Sequence, residues 1–439
     1  SARHKEVVQA ILTKLHGEGQ FYQASTEGFY STKEETFVTE KERLPDGTFP
    51  PHYGEVVKLS ETNWYFKLGA HQQWLIDHIE ANPAFIQPDY RRNEVLGFLK
   101  NNTLEDLCIS RPAARLTWGI PIPFDPAYVT YVWFDALVNY ISVPAALGDA
   151  GVGLGSGVSG LGTEASLCPP QTPDARPHPP LSLWPADAHV IGKDIIKFHA
   201  VYWPIMLKAM GLPLPKQLLV HGWWQKDGAK MSKSTGNVVD PVAVIDDWGL
   251  DAFRYYVVRE LDIGPDGNWT DATFAARYGA ELANGLGNLV NRSLSMLKRY
   301  RNGVVPARHD ELAAEANQFA QAAVAALRES HLQTALVETW KLVTRANQYV
   351  DQTAPFKLAK DPAQSARLDE VLYNLVETCR VLAVLLHPFI PGTAAKIYAQ
   401  LNLPAAPDKL ALAAWGGIAP GHTIGEPAAL FPRRDAPKA

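Results

Sequence analysis

Cysteine is scarce in this 439-residue chain: there are three, Cys108, Cys168 and Cys379, an odd number and widely spaced. No Cys-x-x-Cys pair exists, which excludes a disulfide framework and a cysteine zinc site and fits a reducing cytoplasm. No apolar run approaches the ~20 residues a membrane helix needs, and no secretory signal opens the chain, so no membrane partner is expected. There is no fixed-period repeat. The net charge is only −5, so any nucleic-acid contact has to come from local basic patches. An initiator methionine is also missing: the first residue is Ser1, and Arg3 to Leu15 already reads as amphipathic helix, as in a chain cut within an element.

What is present is a globular composition, 46% hydrophobic and 20% charged, long enough for two to four folded units. Residues 1–126 mix short helical and strand-like segments with turn signals such as Pro45-Asp46-Gly47. Residues 128–132 read as a buried strand, followed by a helix to about Ile141. The Gly- and Pro-rich stretch 147–182 reads as a flexible surface insertion. Inside it, Gly155, Gly157 and Gly160 match a dinucleotide fingerprint, but no strand precedes them and no helix follows, so the match is accidental. A strand at His189–Ile191, a helix from Asp194 to Met210 and a strand at Leu218–Val220 argue for a parallel α/β layer. From about 240 the pattern is helical. Asp240 and Pro241 mark a helix start and Gly249 a stop. Helices are expected over roughly 271–301, 310–328, 331–352 and 365–386, with Leu282, Leu286, Leu289 and Leu297 as a core-facing stripe.

The sharpest chemical signal is Lys230-Met231-Ser232-Lys233-Ser234, preceded by Gly228 and followed by Gly236 and Asn237. Two lysines and two hydroxyls on a glycine-flanked loop give phosphate-binding capacity. Chance would produce this pentapeptide in on the order of one such chain in ten thousand, so a merely solvated basic loop is the poorer explanation. In a second constellation, helical spacing puts Trp133, Ala136 and Tyr140 on one face, and His199 and Trp203 lie four apart on a later helix. Alone, each is readable as an aromatic core stripe. In a third, Asn288 and Arg292 sit off the leucine stripe and face solvent or a partner, with Lys298, Arg299 and Arg301 as a basic end for phosphates.

The pentapeptide resembles the signature loop of class I aminoacyl-tRNA synthetases. The aromatic set together with His199 resembles the amino-acid pocket of the methionyl-tRNA synthetases among them. That resemblance implies an α/β plus all-α chain: the second half of a class I Rossmann nucleotide fold with an inserted connective domain, followed by a helix-bundle anticodon-binding domain. The expected parts are the end of the first Rossmann half (1–18), the connective insertion (19–126, with a knuckle at about 28–60), the second Rossmann half (127–222), a loop and stem-contact segment (223–276) and the anticodon domain (277–439). Lys233 chiefly, with Lys230, would act catalytically on the ATP phosphates; Met231, Ser232, Ser234, Lys193 and Asp194 would join the ATP site, Asp194 being also a candidate helix cap. Trp133, Ala136, Leu137 (where some relatives have proline), Tyr140 and His199 would bind methionine, with Tyr140 and His199 offering hydrogen-bond donors near its thioether. Asn288, Arg292 and Phe356 (where tryptophan is usual) would read the CAU anticodon of tRNA(Met).

Two departures matter. The family's His-Ile-Gly-His signature appears nowhere, so this chain alone is expected to form no adenylate. The positions of the family's zinc knuckle are Ser31, Glu34, Phe49 and His52, so no zinc is expected, and the knuckle is expected to hold by packing. Magnesium would arrive with ATP. Two other readings stay open: another class I synthetase, although the leucine, isoleucine and valine enzymes usually carry much longer editing insertions, or a synthetase-derived RNA-binding module without catalysis. The sequence does not choose an oligomeric state.

Overall fold

A computed structural model describes residues 1–31, 33, 36–38, 40–151, 183–232, 236–404 and 407–434. The chain divides into two compact units, Ser1–Val220 and His221–Ala439.

In the first unit, helix α1 (Ala2–Gly17) starts where the Ser1 hydroxyl accepts the His4 N–H at 3.2 Å. Its apolar positions Val7, Val8, Ile11, Leu12 and Leu15 are all buried, which is the helical stripe the sequence shows. Strands β1 (Phe21–Ser31) and β3 (Val56–Phe66) form a long antiparallel hairpin, with β2 (Thr36–Val38) on the outer edge of β1. At its far end the Arg43 guanidinium lies 4.8 Å from the Phe29 ring and 5.7 Å from that of Phe49. The Ser31 hydroxyl donates to the Tyr53 carbonyl at 2.6 Å, and the His52 ring packs on Tyr53. Glu34 lies outside the described residues. Three of the four knuckle positions are thus engaged in packing or hydrogen bonds within the protein.

Helix α2 (Gln72–Ala81), strand β4 (Ile86–Gln87), helix α3 (Asp89–Asn101) and strands β5 (Leu107–Cys108), β6 (Ser110–Pro112), β7 (Pro121–Ile122) and β8 (Asp125–Thr130) follow. Helix α4 (Val132–Gly151) begins just after β8; strand β9 (His189–Gly192), helix α5 (Trp203–Met210) and strand β10 (Leu218–His221) complete the unit. The nucleotide-fold sheet has the order β4-β10-β9, and β10 runs parallel to β4. Leu218, Leu219 and Val220 are buried, as a strand covered on both faces requires.

Three expectations need correction. The strand expected at 128–132 is β8, and it pairs antiparallel with β6 and β7 in a separate sheet. It lies between those two strands, and its burial is confined to its end, at Val129 and Thr130. The stretch 147–182 is not irregular at its start, because α4 runs on to Gly151; residues 152–182, with the glycine match at 155–160 and Cys168, lie outside the described residues. The single helix expected from Asp194 is a tight turn (Lys193–Ile195), then a widened turn with i→i+5 spacing (Phe198–Tyr202), then α5.

The second unit opens with a hairpin of β11 (Trp224–Lys226) and β12 (Ala229–Lys230). Asp227 and Gly228 both have positive φ, 51° and 78°, the turn that an Asp-Gly pair makes at least strain. Helix α6 (Pro241–Trp248) starts where Asp240 accepts the Val242 N–H at 2.9 Å, as expected. Helix α7 (Leu250–Glu260) and strand β13 (Gly267–Trp269) follow, β13 running parallel to β11. Helix α8 (Asp271–Arg277), a widened turn (Tyr278–Gly287) and helix α9 (Asn288–Arg301) form one continuous rod. Helices α10 (Ala313–Arg328), α11 (Leu332–Thr353), α12 (Pro355–Leu358), α13 (Ser365–Leu386) and α14 (Pro391–Gln400) complete the bundle. The leucine stripe 282, 286, 289 and 297 is buried, and α13 is buried continuously from Val371 to Leu386. No described helix is long and apolar enough to cross a membrane.

Candidate functional site

The aromatic residues of the first unit gather around the start of α4 and the widened turn before α5. Trp133 stacks on Phe198 with ring centroids 3.4 Å apart and planes 11° from parallel. One helical face on, past half-buried Ala136, the Tyr140 hydroxyl meets His199 Nε2 at 2.8 Å. The His199 Nδ1–H donates to the Ile195 carbonyl at 3.0 Å. Burial holds the His199 pKa below its ordinary value, so the ring is neutral near pH 7 and Nε2 carries the lone pair that Tyr140 donates to. In this structure both protons are engaged inside the protein, beside the aromatic faces of Trp133 and Phe198. Leu137 does not join the stack. It is buried in the core with Phe134 and Val138.

Besides Phe198, two further members of this cluster were missed from the sequence. His189, 5% exposed, accepts the Trp203 indole N–H on Nε2 at 3.3 Å, and its ring centroid lies 4.1 Å from that of Tyr140. Trp184 packs edge-on against Trp203 at 5.8 Å. The available signal was register, since His189 and Ile191 share the inward face of β9. Burial chiefly, with His199 nearby, lowers the His189 pKa to about 4. A base held this far below its unfolded value of about 6.5 binds fewer protons folded than unfolded. The stability it carries is therefore complete above pH 6.5 and is lost as pH falls from 6.5 toward 4. His189→Gln keeps an acceptor for Trp203 but does not titrate. We expect the loss of unfolding free energy between pH 7 and 4.5 to be smaller in this variant by about 2 kcal/mol. Equal pH dependence of variant and parent in denaturant titrations would refute this.

After β9, Lys193 is half-buried and Asp194 exposed; Asp194 sits inside the tight turn, whose N-cap position is taken by Gly192. In the second unit Lys230 ends the hairpin, exposed, its ammonium 4.5 Å from the Trp223 ring. Met231 packs against the helical core. The Ser232 N–H is accepted by Asn237 Oδ1 at 2.9 Å, while Lys233 and Ser234 lie outside the described residues.

On α9, Asn288 and Arg292 are both half-buried, and Arg292 lies 3.6 Å from Asp351 near the end of α11. Phe356, 44% exposed, follows five residues after Asp351, where Ala354 turns the chain with φ 42°. Sequence spacing did not foresee the acidic partner of Arg292. The expected basic end of α9 is largely neutralised within the unit: Lys298 pairs with Glu426 at 2.6 Å, and Arg301 with Asp369 at 2.5 Å. Among the described residues no group of three or more His, Cys, Asp or Glu side chains is arranged to hold a metal ion.

With this geometry in place, comparison with known proteins settles the class. Residues 52–151 and 171–294 match the family described as tRNA synthetases class I (M). Residues 301–436 match the anticodon binding domain of methionyl tRNA ligase. The first unit thus carries class I catalytic-domain sequence and the second ends in a helical anticodon-binding domain. The chain belongs to the methionyl-tRNA ligase family. It is 39% identical to the methionine–tRNA ligase of Caldanaerobacter subterraneus, with all of this chain and 65% of that protein aligned. It is 38% identical to that of Bacillus subtilis, with 99% and 64% aligned. The chain therefore spans less than two thirds of these relatives. Among solved structures it resembles a Mycobacterium tuberculosis methionyl-tRNA synthetase bound by methionyl-adenylate, with a TM-score of 0.81, 34% identity, and 98% of this chain and 81% of that one covered.

Proposed function

We propose that this chain serves a methionine–tRNA ligase. Methionine and ATP give methionyl-adenylate, and the acyl group then passes to tRNA(Met) for translation in the cytoplasm, with magnesium bound mainly through the ATP phosphates. The observation that carries the reading is the Trp133–Phe198 stack beside the Tyr140–His199 pair. A long, unbranched, polarisable side chain is well held between aromatic faces, where thioether sulfur gains favourable contacts. Trp133, Ala136, Tyr140 and His199 would line the methionine site, with Leu137 backing it from the core. Lys193 and Asp194 would lie on the nucleotide side, with the 230–234 loop supplying cations to the phosphates. Asn288, Arg292 and Phe356 would meet anticodon bases, which unpaired loops expose to stacking and hydrogen bonding. The five-part division at 18, 126, 222 and 276 belongs to this reading.

The test is ATP–pyrophosphate exchange by the natural polypeptide that contains these residues, assayed with one amino acid at a time. Exchange with methionine, and not with leucine, isoleucine, valine or cysteine, is expected. Exchange driven by another amino acid would assign another class I specificity; tRNA binding with no exchange would leave an RNA-binding module. Arg292→Ala is expected to raise the KM for tRNA(Met) by roughly 10-fold or more, the loss of one charged base contact at about 1–3 kcal/mol, while leaving pyrophosphate exchange unchanged.

A further inference from the structure

The base of the lysine loop is closed by one side chain. Asn237 Oδ1 accepts the Ser232 N–H at 2.9 Å, and Asn237 Nδ2–H donates to the Lys230 carbonyl at 3.0 Å. A single carboxamide thus bridges main-chain groups on the way into the loop from a position on the way out. The bridge needs a donor and an acceptor on one short side chain. Aspartate supplies only acceptors and alanine neither. Lys230 is further fixed by its register opposite Gln225 across the hairpin.

We infer that Asn237 is a positioning residue for the nucleotide chemistry of this loop: its carboxamide holds the main chain of Lys230 and Ser232 in one geometry, so that the entry to the loop is set before the ATP phosphates are met. The inference rests on the ligase reading above. A loop tied at its base has less conformational freedom to lose when it engages a ligand, and pre-ordered cations act most where charge develops. Loss of the bridge should therefore appear in kcat more than in KM for ATP, and KM for methionine should not change.

The experiment compares the natural polypeptide with its Asn237→Ala and Asn237→Asp variants by two readouts. In hydrogen exchange, the Ser232 amide should exchange about 10-fold faster in Asn237→Ala, the net loss of one hydrogen bond. Asn237→Asp keeps the acceptor and should preserve that protection while losing the bond to Lys230. In methionine-dependent pyrophosphate exchange, kcat should fall about 10-fold in Asn237→Ala and also fall in Asn237→Asp. Unchanged exchange of the Ser232 amide in Asn237→Ala would remove the bridge itself. Faster amide exchange with unchanged kcat would leave a bridge without a positioning role. Failure of the ligase reading shows differently, as a parent protein silent in pyrophosphate exchange with every amino acid, and it takes the positioning role with it whatever the amides do.

Discussion

Replacing Glu377 by alanine is expected to destabilise the second unit by about 3–5 kcal/mol, the usual cost of orphaning a buried charge. Glu377 is fully buried in the middle of α13, and its carboxylate has no water to return to. Arg380 meets it through Nε at 2.9 Å and Nη2 at 2.6 Å. The Gly416 and Gly417 N–H groups add bonds of 2.7 and 2.8 Å to one oxygen, and that of Ile418 adds 3.0 Å to the other. Arg380 in turn donates to the carbonyls of Leu412 and Ala414. The ion pair is thus the peg on which the segment 412–418 is hung, burying Trp415 and Ile418. Gly417 belongs to the same device, since a Cβ there would stand 2.5 Å from the Arg380 guanidinium carbon.

Alanine at 377 leaves a guanidinium unpaired and three N–H groups without an acceptor. Glu377→Gln should cost nearly as much, because a carboxamide turns one of its two acceptor sites into a donor facing other donors. Changing both partners, Glu377→Leu with Arg380→Leu, should recover part of the loss, since paired removal spares the desolvated charge but not the glycine amides. Denaturant unfolding followed by probes in the second unit measures all three. A loss below about 1 kcal/mol for the alanine variant would show that the pair holds nothing in place.

This pair shows where sequence reading stops. An acid and a base three apart inside the apolar run of α13 are visible from sequence alone, but the glycine amides that complete the site come from about 40 residues further on. The long helices were legible because a 3.6-residue period over twenty positions leaves little choice: α11 and α13 fall within a residue or two of their expected ends. The two-residue β4 was not legible, because its place beside β10 is set by tertiary pairing rather than by any local pattern. The same limit explains α9. Lys298 and Arg301 look like phosphate ligands in sequence, but Glu426 and Asp369, far along the chain, already claim them. In the aromatic cluster the residue types were legible and the hydrogen-bond directions were not. Spacing brought Tyr140 and His199 into view, and only the Ile195 carbonyl decides which nitrogen carries the proton.

Lys233→Ala, made in the natural polypeptide, is expected to lower methionine-dependent pyrophosphate exchange by about 100-fold or more, roughly 3 kcal/mol of transition-state stabilisation. Attack of the methionine carboxylate on the α-phosphate builds negative charge on departing pyrophosphate. An ammonium that engages this charge more strongly than it engages bound ATP lowers the barrier. The loss should then fall on kcat and kcat/KM alike, with KM for ATP little changed. Lys230 should matter less. Its ammonium rests on the Trp223 ring, and leaving an indole face costs about 0.5–1 kcal/mol before any phosphate is gained. Lys230→Ala should therefore cost several-fold less in kcat than Lys233→Ala. Trp223→Leu, which removes the resting place, should cost Lys230 nothing. If Lys233→Ala leaves methionine activation intact, the loop has no part in pyrophosphate departure, and the electrostatic account of this site is wrong.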